Sequence, residues 1–147
     1  MKKYIIILVL ALIALANAAY LSYESYQFWF SANADALRNM PCDLTAHLSC
    51  SGILSNPRAL IFGIPFPMIA LIVYPIIFGL ALSGYLRKSL TEAKILTGLA
   101  FGGMCFNSYV ISQEYIISVF CPLCAMCSII IVSIFVLSIS IWKTKKS

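Results

Sequence analysis

Hydrophobic positions run along this chain in long unbroken blocks, not in the alternating or one-sided patterns of soluble elements. Four stretches carry no Asp, Glu, Lys or Arg: 4–23, 59–86, 95–113 and 115–142. A helix needs about 20 predominantly apolar residues to cross a bilayer, so each stretch suffices for one crossing and none for two. In hydrocarbon the backbone must satisfy its own hydrogen bonds, which favours helices, and the period-two polarity of barrel strands is missing. The pattern predicts an all-α integral membrane protein, a four-transmembrane-helix bundle with helices near 4–29, 62–86, 93–117 and 121–142. An outward-facing loop joins helices 1 and 2. One membrane domain is expected over 1–147, with no internal repeat and no fused soluble domain.

Composition agrees. The chain is 62% hydrophobic and 10% charged, against about 45–50% apolar and about 25% charged in soluble domains. Disorder is excluded as well, because disordered chains are poor in apolar residues. The net charge of +5 raises nucleic acid as a partner, but the placement of the charges answers it. Eight of the ten basic residues flank one side: Lys2 and Lys3, then Arg87, Lys88 and Lys94, then Lys143, Lys145 and Lys146. Only Arg38 and Arg58 fall in the loop between helices 1 and 2. The positive-inside rule makes both termini cytoplasmic and turns residues 30–61 and the turn near Ser118–Phe120 outward. Trp29 and Trp142 fall at the two interfaces. The charge is topological, so lipid is an expected partner and nucleic acid is not.

Met1-Lys2-Lys3, an apolar run from Tyr4 to Leu15 and Ala16-Asn17-Ala18 also resemble a cleavable leader. Retention as helix 1 is the expectation, because the segment continues helically through Tyr20, Tyr23, Phe28 and Trp29. Lys143-Thr144-Lys145-Lys146-Ser147 resembles a dilysine retrieval tail, yet a positive-inside flank accounts for it. A prokaryotic cytoplasmic (inner) membrane is the expected location.

Six cysteines in so short a chain need their own explanation. Cys42 and Cys50 lie in the outward loop; Cys121, Cys124 and Cys127 open helix 4; Cys105 lies midway along helix 3. On this topology Cys42, Cys50, Cys121 and Cys124 share the oxidising face, where disulfides persist. Cys121-Pro122-Leu123-Cys124 is a C-x-x-C at a helix start, with proline where a first turn tolerates it. A helix N-terminus stabilises a thiolate and raises reactivity. Packing as small apolar groups is the competing reading, and for Cys127 and Cys105 it is the favoured one. For Cys42 and Cys50 a structural disulfide competes with a redox pair. Zinc held by four thiolates is disfavoured, since only one pair has knuckle spacing; no metal is expected. Two pairs on one face can pass electrons by thiol–disulfide exchange.

In these residues the chain resembles the vitamin K epoxide reductase family in its small microbial form. The matching positions are Cys42, Ser49-Cys50-Ser51-Gly52-Ile53-Leu54-Ser55, Gly63-Ile64-Pro65, Tyr74 and Cys121-Pro122-Leu123-Cys124, in family order over about residues 40–127. In the DsbB type of quinone-linked oxidase the C-x-x-C pair comes first, whereas here the separated pair does. The resemblance implies a four-helix bundle around a quinone of ubiquinone or menaquinone type. It implies that Cys42 exchanges with a reduced, separate thioredoxin-fold (DsbA-like) protein, that Cys50 relays electrons to Cys121, and that Cys124 faces the quinone. The implied result is disulfide formation in exported proteins.

Three departures qualify the transfer. Six residues after the second loop cysteine, where the family commonly has serine or threonine, stands Asn56, beside Ser55; an amide can still donate to a quinone carbonyl. Ser128 replaces the vertebrate tyrosine four residues after the last active cysteine. Phe66 aligns with the helix 2 asparagine thought to hold the quinone carbonyl. Ser55, Asn56 and Phe66 are therefore the candidate quinone contacts, and vitamin K epoxide is not the expected substrate.

Other polar groups are weaker candidates. His47 can act as a base between the loop cysteines, though a solvated loop histidine is the simpler reading; Asp43 beside Cys42 is no activator. Glu24 and Glu114 are expected to sit shallow enough to reach water, with a proton relay through Glu114 as the sharper alternative. Phe62, Phe66, Phe101, Tyr109 and Tyr115 are candidates to line a quinone pocket, and Pro65, Pro67 and Pro75 are expected to bend helix 2. The rival class for the whole chain is a non-catalytic membrane scaffold stapled by a Cys42–Cys50 disulfide.

Overall fold

The computed structural model describes residues 2–30, 57 and 60–146. Cys42, Cys50, Ser55 and Asn56, with Arg38, Asp43, His47 and Arg58, lie outside the described residues. Four helices dominate: α1 (Lys2–Trp29), α2 (Phe66–Arg87), α3 (Leu90–Ile117) and α4 (Pro122–Lys146). Each contains a segment long and apolar enough to cross a membrane, so the chain is a multi-pass membrane protein.

The expected helices are all present, with shifted ends. Helix 2 starts at Phe66 because a short antiparallel pair precedes it, β1 (Leu60–Ile61) against β2 (Ile64–Pro65). Its turn uses left-handed backbone at Phe62 (φ 53°) and Gly63 (φ 81°); glycine takes that conformation freely. Pro65 and Pro67 belong to the start of α2, where a missing N–H costs nothing, and only Pro75 is interior. The expected three-proline bend therefore reduces to one interior proline. α3 starts three residues earlier than expected because the Ser89 hydroxyl caps it, accepting from the Thr91 backbone N–H at 3.2 Å. Its C-terminus is closed by Ser118 at φ 65°, whose N–H returns to the carbonyls of Glu114 and Tyr115.

Hydrophobicity alone does not orient helices in lipid, because tails are as apolar as leucine; packing shape does. In α1 the buried positions Tyr4, Ile7, Ala11, Ala14, Ala18, Leu21 and Ser25 recur at spacings of three and four. In α4 Cys124, Cys127, Ile131, Ile134, Ser138 and Ile141 do the same. A 3–4 spacing is the seam of a left-handed bundle with crossings near +20°. Alanines on the α1 seam let α2 approach closely. At Gly84 an added Cβ would stand 2.7 Å from the Tyr4 ring. The segment with leader-like features thus supplies part of the core.

α1 packs chiefly on α2 and α3 on α4, and contacts of α2 with α3 and α1 with α4 close the ring. Lys3 Nζ donates to Ser140 Oγ at 2.6 Å. With Tyr4 against Gly84, this gathers the start of α1, the end of α2, the start of α3 and the end of α4 at one end of the bundle. The C-x-x-C lies at the opposite end.

Candidate functional site

The α3–α4 turn presents the Cys121-Pro122-Leu123-Cys124 motif. Cys121 stands immediately before α4, and its carbonyl accepts from the Ala125 N–H at 3.1 Å, as a capping residue's does. Pro122 is the first helical residue. One turn on, Cys124 reaches back, and the two side chains are hydrogen-bonded to each other. Cys121 is fully buried and Cys124 nearly so, in an apolar cluster with Leu21, Phe66 and Val110.

Behind Cys124 lies a cavity of about 190 Å³. Its walls are apolar, with Phe66, Val73 and Phe106 among them, and its polar groups are Tyr74, Asn107, Cys124 and Cys127. An engineered apolar cavity of about 150 Å³ admits benzene, so a substituted six-membered ring fits this one. Phe66, a candidate contact from sequence, lines the cavity. The other proposed aromatics do not: Phe62 is fully exposed, and Phe101, Tyr109 and Tyr115 face outward from the bundle. Phe106 supplies the second ring instead. It lies on the inward side of α3, a distinction that counting aromatics does not make.

Three polar features differ from expectation. Glu114 does not reach water: it is 3% exposed, and its carboxyl faces the Cys124 thiol and the Cys121 backbone N–H. The α3–α4 turn folds the last turn of α3 onto the start of α4, which takes the side chain inward. Cys127 is more than packing. Its sulfur accepts from Asn17 Nδ2 at 2.9 Å and is hydrogen-bonded to the Tyr74 side chain. Cys105 faces outward and is not part of the core.

Asn17 and Asn107 were not singled out from sequence as functional. Asn17 also donates to the Leu123 carbonyl at 3.0 Å, so α1 grips the first turn of α4. An amide within an apolar run is the signal for such a group, here masked by its place in a leader-like Ala-Asn-Ala. Among the described residues, Asn107 is the only amide on the cavity wall. The site thus joins a vicinal dithiol at a helix start, a buried carboxyl beside it and an apolar chamber behind it. Among the described residues no cluster of His, Cys, Asp or Glu side chains is arranged to hold a metal ion.

The family model that matches the chain, over residues 5–139, is that of the vitamin K epoxide reductase family. The chain belongs to that family. Helix 1 falls within the match as well as the cysteine-bearing region. No match was found among curated proteins. Membership carries the general class of membrane thiol–disulfide oxidoreductase, and the family is generally quinone-linked.

Proposed function

We propose that this protein is a membrane thiol:quinone oxidoreductase that reoxidises a separate thioredoxin-fold, DsbA-like dithiol protein and so supports disulfide formation in exported proteins. The observation that carries the reading is Cys124. It belongs to a buried C-x-x-C and also lines an apolar chamber wide enough for a quinone ring. In the proposed sequence Cys42 exchanges with the partner's dithiol, Cys50 passes the disulfide linkage between the pairs, and Cys121 receives the electrons. Each exchange runs through a mixed disulfide. Cys124 is the last sulfur before the cavity. A quinone of ubiquinone or menaquinone type, when bound, supplies the sink for two electrons and two protons.

The residues proposed to hold it are Phe66, by its ring, and Ser55 and Asn56 from the loop. Tyr74 and Asn107 add hydrogen-bonding groups in the chamber itself. Asn107 offers from α3 an amide of the kind missing at position 66 on α2. The membrane is proposed to be the prokaryotic cytoplasmic one, with both termini inside and the cysteine pairs at the outer face.

Quinone absorbance tests the reading, followed while detergent-purified protein receives a reduced thioredoxin-fold dithiol. Quinol formation that disappears in Cys124→Ser is the expected result. No quinone reduction with several quinones and partners refutes it and shifts weight to the stapled scaffold.

A further inference from the structure

The buried carboxyl of Glu114 has no place in electron transfer between sulfurs, yet it sits against both members of the C-x-x-C. It is 3% exposed and belongs to the last turn of α3. It meets the Cys124 thiol and the Cys121 backbone N–H, and its Oε1 is buried with no hydrogen-bond partner among the described residues. A group so placed is costly to bury, because an unsatisfied polar atom gives up its solvation with nothing in return. Its helix end makes matters worse, since a carboxylate is disfavoured at a C-terminus. A purely apolar residue would fill the same space without that cost.

We propose that Glu114 is the proton acceptor for the Cys121–Cys124 dithiol, an inference that rests on the redox reading of this pair. Closing the disulfide breaks two S–H bonds, makes one S–S bond and releases two electrons and two protons. The electrons pass to the quinone, and both protons finish on its oxygens to give quinol. With the two sulfurs buried, water is not at hand to take the protons. Glu114 takes the proton of Cys124 directly. The proton of Cys121 follows across the Cys121–Cys124 hydrogen bond once the first has been handed on. The carboxyl ends each turnover as it began, so no further co-reactant is needed. The Cys121 N–H, donating from the start of α4, steadies the charged form while it lasts.

The competing role is a structural cap, in which Glu114 only ties α3 to the first N–H of α4. Glu114→Gln separates the two, because an amide oxygen still accepts from the Cys121 N–H but takes no proton from a thiol. Two readouts apply to the full-length protein in detergent. One is single-turnover quinol formation. The other needs no quinone: the rate at which methyl methanethiosulfonate modifies Cys124 in a Cys121→Ser background, read peptide by peptide by mass spectrometry.

General-base assistance is worth about 10²–10⁴-fold. Quinol formation is therefore expected to fall about 100-fold or more in Glu114→Gln, with KM for quinone unchanged. Cys124 modification should slow in parallel, and Glu114→Asp should recover part of both rates. Glu114→Asp also carries the test if the glutamine variant fails to fold: rates between those of wild type and a Glu114→Ala variant support the assignment. Rates in Glu114→Gln within about threefold of wild type in both assays would overturn it and leave the cap. Cys124 modification that depends on Glu114 in a protein reducing no quinone supports the proton acceptor while refuting the quinone reading.

Discussion

Asn17 on α1 and Cys127 on α4 are joined by an N–H···S hydrogen bond of 2.9 Å, one turn below the C-x-x-C. The same amide holds the Leu123 carbonyl, within the motif itself. α1 therefore fixes the height and rotation of the helix that carries Cys121 and Cys124. Interhelical hydrogen bonds in membranes contribute on average about 0.6 kcal/mol and at most about 1.7. Asn17→Ala loses two and is expected to lower stability by about 1–2 kcal/mol in thermal or denaturant unfolding. Cys127→Ser keeps an acceptor for Asn17 and should retain quinone reduction within a few-fold of wild type. Loss of activity in Cys127→Ser comparable to that in Cys124→Ser would put Cys127 in the redox path.

A second contact, at the far end of the bundle, is steric. A methyl group at position 84 would meet Tyr4 at 2.7–2.9 Å, and the Tyr4 ring is 3% exposed, with little room to retreat. Overpacking a filled core costs about 1–3 kcal/mol. Gly84→Ala should destabilise within that range. In a Tyr4→Ala background the same change should cost much less, a non-additivity that a double-mutant cycle measures directly. Equal costs in the two backgrounds would mean that α1 does not rest on α2 as described.

The four helices were legible because each uncharged run matches one bilayer crossing, and the C-x-x-C was legible because its spacing is local. What sequence did not disclose depends on rotation. Tyr109 and Tyr115 share α3 with Phe106, yet of the three only Phe106 lines the cavity, because the angle around the helix axis decides which ring faces in. Glu114 looked shallow from its place near a helix end; the tight turn at Ser118 folds it under the start of α4. Asn17 was hidden by context, reading as part of a cleavage site when its partners lie more than a hundred residues away. Two-residue strands such as Leu60–Ile61 are too short to leave any period in a sequence.

The chamber can be tested by volume and by polarity separately. At Gly103 an added Cβ would stand 3.0 Å from Ile131, which itself lines the cavity. Gly103→Val should therefore drive Ile131 inward and shrink the space for a ring. Asn107→Leu keeps the volume nearly constant and removes the amide that α3 presents to the cavity. Each is expected to raise KM for quinone by about tenfold, equivalent to about 1.4 kcal/mol. Both should leave thiol exchange with the partner protein unchanged. Steady-state quinone titrations beside a partner-oxidation assay make the comparison. If KM stays at the wild-type value in both variants, the quinone binds elsewhere.

The proposed orientation rests on where the bundle gathers its charge. Lys3 contacts Ser140 near the end of α4, while Arg87, Lys88 and Lys94 surround the α2–α3 connection at that same end. The C-x-x-C occupies the opposite end. Lys and Arg within about 15–20 residues of a span set its direction, and the proposal of a cytoplasmic basic end rests on that rule. A cysteine placed at Lys88, in a chain whose six native cysteines are replaced by Ala, should react with a membrane-impermeant maleimide only after the membrane is opened. A cysteine at Val119, in the turn before the motif and in the same cysteine-free background, should react in intact cells. The reverse labelling would turn the protein over, place the active pair in a reducing compartment, and remove the reason for an oxidative role.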